Sequence, residues 1–234
     1  MKSTLSFFIT LTVFATAAFA APAKSSQCNT SNVKLILPPV APGAPSLATP
    51  LASGPKFIAL AVGTQNYTCG AAGTYTSAGA FAELFDLSCV SPKAFDTLTE
   101  DAFAVWKVVP SFVTPQKIIS TLAGIGSPEV LGQHYFVTNT SGGALTPKWD
   151  FTSASEAGNP NAYVLGARTG TIPSPTNPTV DVDWLSLKNA GGELADQVFR
   201  VQTQGGQPPS SCTPGSPEID VKYTSQYWFY GGSA

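Results

Sequence analysis

From Lys56 onward the chain is a series of short apolar alternations separated by Gly, Pro and Asn clusters. Alternation turns one face of a strand to a core and the other to solvent, so the pattern predicts an antiparallel sheet protein. Phe57 to Thr68 is the first strand, with Gly63 as its expected bulge, and Phe81 to Leu87 is its neighbour. Leu131 to Thr138 and Pro147 to Phe151 form a hairpin around Ser141-Gly142-Gly143. Ala162 to Ile172, Val180 to Leu187, Gln197 to Thr203 and Ile219 to Tyr230 supply the remaining strands. One stretch switches period: Phe95, Leu98, Ala102, Val105 and Trp106 recur at helical spacing, with Ser91 as candidate cap and Pro92 at the first helical position. The expected fold is all-β and mainly antiparallel. It is a single β-sandwich or β-barrel-like domain over residues 56–234, with one or two short helices. No period of about 20 to 50 residues repeats, which argues against a solenoid or propeller.

Two stretches precede this domain. Residues 21–55 carry Pro38, Pro39, Pro42, Pro45, Pro50 and Pro55 among small residues, which keeps the backbone extended and removes sheet donors. They read as a Pro-rich N-terminal arm that Cys28 ties to the body. Residues 1–20 read as a signal peptide, with a positive start at Met1-Lys2, an apolar run from Leu5 to Phe19, and a small-x-small site at Ala18-Phe19-Ala20 before Ala21. The run is too short for a spanning helix and no apolar tail precedes Ser233-Ala234. The expectation is a secreted, extracellular protein with no membrane anchor.

Charged residues make up only 11% of the chain and the formal net charge is −2. Such a surface is not built to neutralise phosphates, so neither nucleic acid nor membrane is an expected partner. The four cysteines, Cys28, Cys69, Cys89 and Cys212, form an even set in an oxidising route and imply two disulfides, with three pairings open. None falls in a C-x-x-C spacing and His134 is the only histidine, so no metal site and no cofactor are expected. Three sequons place glycosylation candidates at Asn29, Asn66 and Asn139.

An ordered series of short motifs runs from about residue 28 to 230: Gly63-Thr64-Gln65-Asn66-Tyr67-Thr68-Cys69, Gly132-Gln133-His134-Tyr135-Phe136, Pro147-Lys148-Trp149, Arg200-Val201-Gln202-Thr203-Gln204-Gly205-Gly206 with Cys212, and Tyr227-Trp228-Phe229-Tyr230. The series resembles a secreted fungal and bacterial family of unknown function whose fungal members often carry the label malate dehydrogenase. The resemblance implies a secreted, β-rich single domain and brings no catalytic residue with it. Cys69 and Cys212 sit in its motifs, and Cys69 ends one strand while Cys212 follows the loop after another. That favours Cys69 with Cys212, leaving the arm's Cys28 for Cys89 at the close of the Phe81 strand. The dehydrogenase label conflicts with the chain, because dinucleotide binding needs a G-x-G-x-x-G turn between a strand and a helix. Gly166 to Gly170 spells G-A-R-T-G and runs on into Thr171-Ile172-Pro173, and Gly191-Gly192 lacks the third glycine.

A few residues remain as chemical candidates. His134 would have to serve as any histidine base, yet it sits in a strand and no G-x-S-x-G elbow accompanies it. Its structural reading is a hydrogen-bonded sheet residue. Asp181 and Asp183 lie two apart on an expected strand, so both carboxylates share a face, either as an acid pair or calcium ligands or as plain outer polarity. In Tyr227-Trp228-Phe229-Tyr230 the side chains alternate, so one of the pairs Tyr227/Phe229 and Trp228/Tyr230 faces out and offers a contact surface. Arg200 shares a face with Val198 and Gln202 and is read as orienting the Thr203 to Gly206 turn.

These features favour a secreted β domain that works without catalysis, at the cell wall or in the extracellular space, by contact with a polysaccharide or an extracellular protein. The alternative is a secreted hydrolase or lyase using His134 with a carboxylate. An effector or antigen acting on another organism shares the residue pattern of the first reading.

Overall fold

The computed structural model describes residues 28–115, 117, 129–138 and 143–234. The expected signal peptide, the first residues of the arm and the sequon asparagine Asn139 lie outside the described residues. Eight strands follow one another around the sheet: β1 (Pro55–Cys69), β2 (Tyr75–Asp86), β3 (Val130–Thr138), β4 (Leu145–Asp150), β5 (Tyr163–Ile172), β6 (Trp184–Gly191), β7 (Gln197–Gly205) and β8 (Ile219–Tyr230). Each pairs antiparallel with the next, and β8 returns to β1 from Phe57↔Phe229 to Tyr67↔Ile219, closing an up-and-down barrel. A helix, α1 (Phe95–Trp106), interrupts the meander between β2 and β3.

Several local expectations change. Gly63 is not a bulge: it pairs regularly with Ala82, and the shift in register falls between Asn66 and Tyr67. The glycine is needed because a Cβ there would lie 2.0 Å from the Phe81 carbonyl oxygen. Ser91 does not cap α1, because a 3-10 turn (Pro92–Ala94) intervenes and Ala94 takes the cap position without a side-chain bond. β6 starts at Trp184 rather than Val180, since Asp181 is committed to a bridge with Gly206.

Two apolar layers stabilise the barrel. Inside, Ala59 and Ala61 on β1 leave room for Trp149, Tyr223 and Tyr227, while Phe57, Phe151 and Phe229 pack edge to face at 5.2 and 5.4 Å and plug one end. Outside, Ile58, Leu60, Val62, Phe199, Val201, Trp228 and Tyr230 form a second apolar surface on β1, β7 and β8. Strands buried on both faces lose the polar half of the alternation, which is why Phe57 to Val62 is continuously apolar. Leu98, Ala102 and Trp106 of α1 cover part of this surface, and Val33, Leu35, Leu37 and Leu47 of the arm pack against it too. Trp106 also donates its indole N–H to the Gly63 carbonyl at 2.7 Å.

The arm is fixed by polar contacts as well as by packing. Ala48 N–H donates to Ser186 Oγ at 3.0 Å, and the Gln197 amide pairs with Leu51 N–H and the Thr49 carbonyl. Disulfides join Cys28 to Cys89 and Cys69 to Cys212, the pairing favoured from the sequence. The first anchors the arm, and the second ties the β7–β8 connection to the end of β1.

Candidate functional site

Successive side chains on a strand point to opposite faces, so parity decides which polar groups enter the barrel. On β1 the lumen positions run Phe57, Ala59 and Ala61 and then turn polar at Gln65 and Tyr67. Val198 is followed by Arg200 on β7, and Val164 by Gly166 and Arg168 on β5. The phenylalanine plug closes the opposite end. These polar positions, with Phe136, Leu185, Leu187 and Gln207, line a cavity of about 400 Å³ at the mouth of the barrel.

Polar and apolar residues line the cavity in equal number. Tyr67 donates its hydroxyl to the Gly206 carbonyl at 2.8 Å, and burial raises its pKa. Arg200 spends two donors on the main-chain carbonyl of Asp183, at 3.1 Å from Nε and 2.9 Å from Nη2. Arg168 is exposed at the rim, and no hydrogen bond or ion pair engages its guanidinium among the described residues. Gln65 is only 6% exposed, yet its Nε2 makes no regular hydrogen bond, its polar neighbour being the Tyr223 hydroxyl. A buried donor left unmade costs about 1–3 kcal/mol. Gly166 is required beside the cavity, because a Cβ there would stand 2.8 Å from both Leu187 and the Trp149 ring.

His134 lies in the lumen on the face away from solvent, 2% exposed. Its ring stacks on Trp149 at 4.6 Å and 12°, and Nδ1 lies 2.9 Å from the Lys148 carbonyl, so this nitrogen carries the proton and donates. Burial lowers its pKa to about 3, and the field of Arg200 acts in the same direction. The nearby carboxylate of Asp150 is engaged by Lys148 at 2.7 Å, Tyr135 at 2.7 Å and Thr152. No carboxylate contact with His134 occurs among the described residues.

The other sequence candidates separate. Asp181 is buried, accepting from Gly205 N–H at 2.7 Å and from the Thr176 hydroxyl at 2.6 Å, whereas Asp183 is half-buried at the barrel mouth. They form no pair, and no metal-ligand cluster of three or more such side chains occurs among the described residues. Arg200 does not orient the Thr203 to Gly206 turn, because its fork is turned inward to Asp183. Asp181 and Thr203, which donates to the Val182 carbonyl at 2.6 Å, hold that turn instead. The alternation of Tyr227 and Phe229 against Trp228 and Tyr230 is present, but neither pair is a surface. Trp228 and Tyr230 point out of the barrel and remain 3% and 2% exposed, since α1 and the arm cover that side. Asn29 is exposed, and Asn66 donates Nδ2 to Asp220 at 2.8 Å. Sequence reasoning missed Gln65, Tyr67, Arg168 and Gln207, although the parity of Gln65 with Ala59 and Ala61, and of Arg168 with Val164, already pointed two of them inward.

A plugged eight-stranded up-and-down barrel with one mixed polar and apolar mouth defines the architecture. The chain belongs to the family described as a protein of unknown function (DUF3455), whose model matches residues 50–231. No curated protein and no solved structure matches it. The two disulfides are compatible with an extracellular protein, and no helix among the described residues is long and apolar enough to cross a membrane.

Proposed function

We propose that this is an extracellular, non-catalytic binding protein that receives a small amphipathic organic molecule in the mouth of its barrel. The observation that carries the reading is the cavity itself. About 400 Å³ of space, lined in equal part by apolar residues such as Phe136, Leu185 and Leu187 and by polar ones, has the size of small-molecule sites, which span about 300 to 1,000 Å³. The non-catalytic part rests on His134, whose ring is packed among aromatics and spends Nδ1 on a main-chain carbonyl, away from the cavity lining. Secretion to the extracellular space or cell wall is supported by the leader-like residues 1–20, the disulfides and the exposed sequon at Asn29. Contact with a polysaccharide through Trp228 and Tyr230 has no support in their burial, so the ligand is placed in the mouth rather than on the outer wall.

Fluorescence titration with the neutral probe N-phenyl-1-naphthylamine tests the reading. Saturable one-to-one binding is expected, and it should disappear in Ser77→Trp, which fills the exposed rim of the cavity. Absence of saturable binding, or equal binding by the variant, would overturn it.

A further inference from the structure

We infer that the mouth is selective for an organic acid, whose anionic group is held by Arg168 and the side-chain amide of Gln65, with Arg200 as the second cation. The inference rests on the mouth being a ligand site and names what that site takes. Three independent features of the cavity converge on it.

The first is the unmet donor. Gln65 lines the cavity and is more than nine-tenths buried; its Nε2 makes no regular hydrogen bond, and the Tyr223 hydroxyl beside it can take only one of its two N–H groups. Buried donors are normally satisfied, so a donor left open beside an empty volume marks a place where an acceptor arrives. The second is charge. Two guanidinium groups share the cavity lining with the single carboxylate of Asp183, and like charges in one partly enclosed space repel until an anion joins them. Arg200 has already committed Nε and one Nη2 donor to the Asp183 main chain, which fixes its plane and leaves its other donors for a guest. Arg168 has its whole fork uncommitted among the described residues, and a planar fork matches a carboxylate or sulfonate with two parallel bonds. The third is the wall. Phe136 and Leu187 give the remainder of the molecule an apolar seat, which an inorganic anion would not use.

Two probes of nearly the same shape separate this inference from the reading beneath it. One is 8-anilinonaphthalene-1-sulfonate, and the other is N-phenyl-1-naphthylamine, which lacks the sulfonate. On the full mature protein the sulfonate should bind at least about tenfold more tightly than the neutral probe, and the advantage should shrink as salt is raised. Arg168→Met keeps the aliphatic stem at an exposed, unpartnered position, so folding should be preserved; it should abolish the sulfonate's advantage, read as the ratio of the two affinities. Gln65→Leu should weaken the sulfonate more than the neutral probe. Equal affinity for the two probes, or an advantage that survives Arg168→Met, overturns the organic-acid assignment and leaves the mouth as a ligand site. Failure of both probes to bind overturns the ligand site and this inference with it.

Discussion

Between pH 7 and pH 5, acidification should weaken this barrel through His134, and the size of the effect can be worked out from its titration. An unfolded histidine titrates near pH 6.5, whereas burial in the lumen lowers the folded value to about 3. Between those values the unfolded chain binds the proton and the folded chain does not. The histidine's contribution to stability is therefore complete above pH 6.5 and is lost as the pH falls toward 3. Each pH unit in that window costs up to about 1.4 kcal/mol, so passing from pH 7 to pH 5 lowers stability by about 2 kcal/mol. Asp86 acts in the opposite sense, since burial raises its carboxyl pKa and protonation then favours the fold, but it is present in both the wild type and a His134→Gln variant and drops out of the comparison between them. Replacing His134 with Gln removes the titration. At pH 7 it should also cost about 1–3 kcal/mol through the lost bond to the Lys148 carbonyl and the lost stack on Trp149. Guanidinium unfolding of both proteins at pH 7 and pH 5 gives the comparison. The wild type should lose about 2 kcal/mol more than the variant across the interval. Parallel losses, or a variant as stable as wild type at pH 7, would refute a buried, neutral, structural histidine and restore the case for a reactive one.

Other substitutions probe other parts of the account. Gly166→Ala forces a methyl into 2.8 Å contact with Leu187 and Trp149 and should cost about 1–3 kcal/mol, read as a lower melting temperature. A melt equal to wild type would contradict the close packing beside the cavity. Cys28→Ser with Cys89→Ser should free the arm while the barrel stays closed, so limited proteolysis should cut within residues 28–54 and Trp228 fluorescence should shift to the red. An arm as resistant as wild type would show that packing alone holds it. Expression in a secreting host should yield medium-borne protein whose amino terminus is Ala21, and retention of Met1 in the cell would count against secretion.

The strands were legible because alternation survives wherever one face stays wet, as in β3 and β5. Closure was not, because sandwich and barrel impose the same alternation and differ only in the non-local pairing of β1 with β8. The outward aromatics Trp228 and Tyr230 were misjudged for a related reason. A strand covered on both sides looks like a half-exposed one until its neighbours are known, and the local hint was the unbroken apolar run from Phe57 to Val62 on the paired strand. At the mouth, Gln65 and Arg168 were not singled out, because isolated polar residues on strands usually face water. Their parity with alanine and valine core positions carried the contrary signal. Asp181 and Asp183 were separated by the bridge to Gly206, which spacing alone does not reveal.

The central claim is that the barrel mouth receives the ligand, and backbone amide NMR of the isotope-labelled protein titrated with 8-anilinonaphthalene-1-sulfonate addresses it most directly. The account predicts saturable shift changes concentrated at Gln65, Tyr67, Arg168 and Arg200, on strands that converge only in the folded barrel. Changes confined instead to the exposed apolar positions Ile36, Val108 and Phe112 would contradict it.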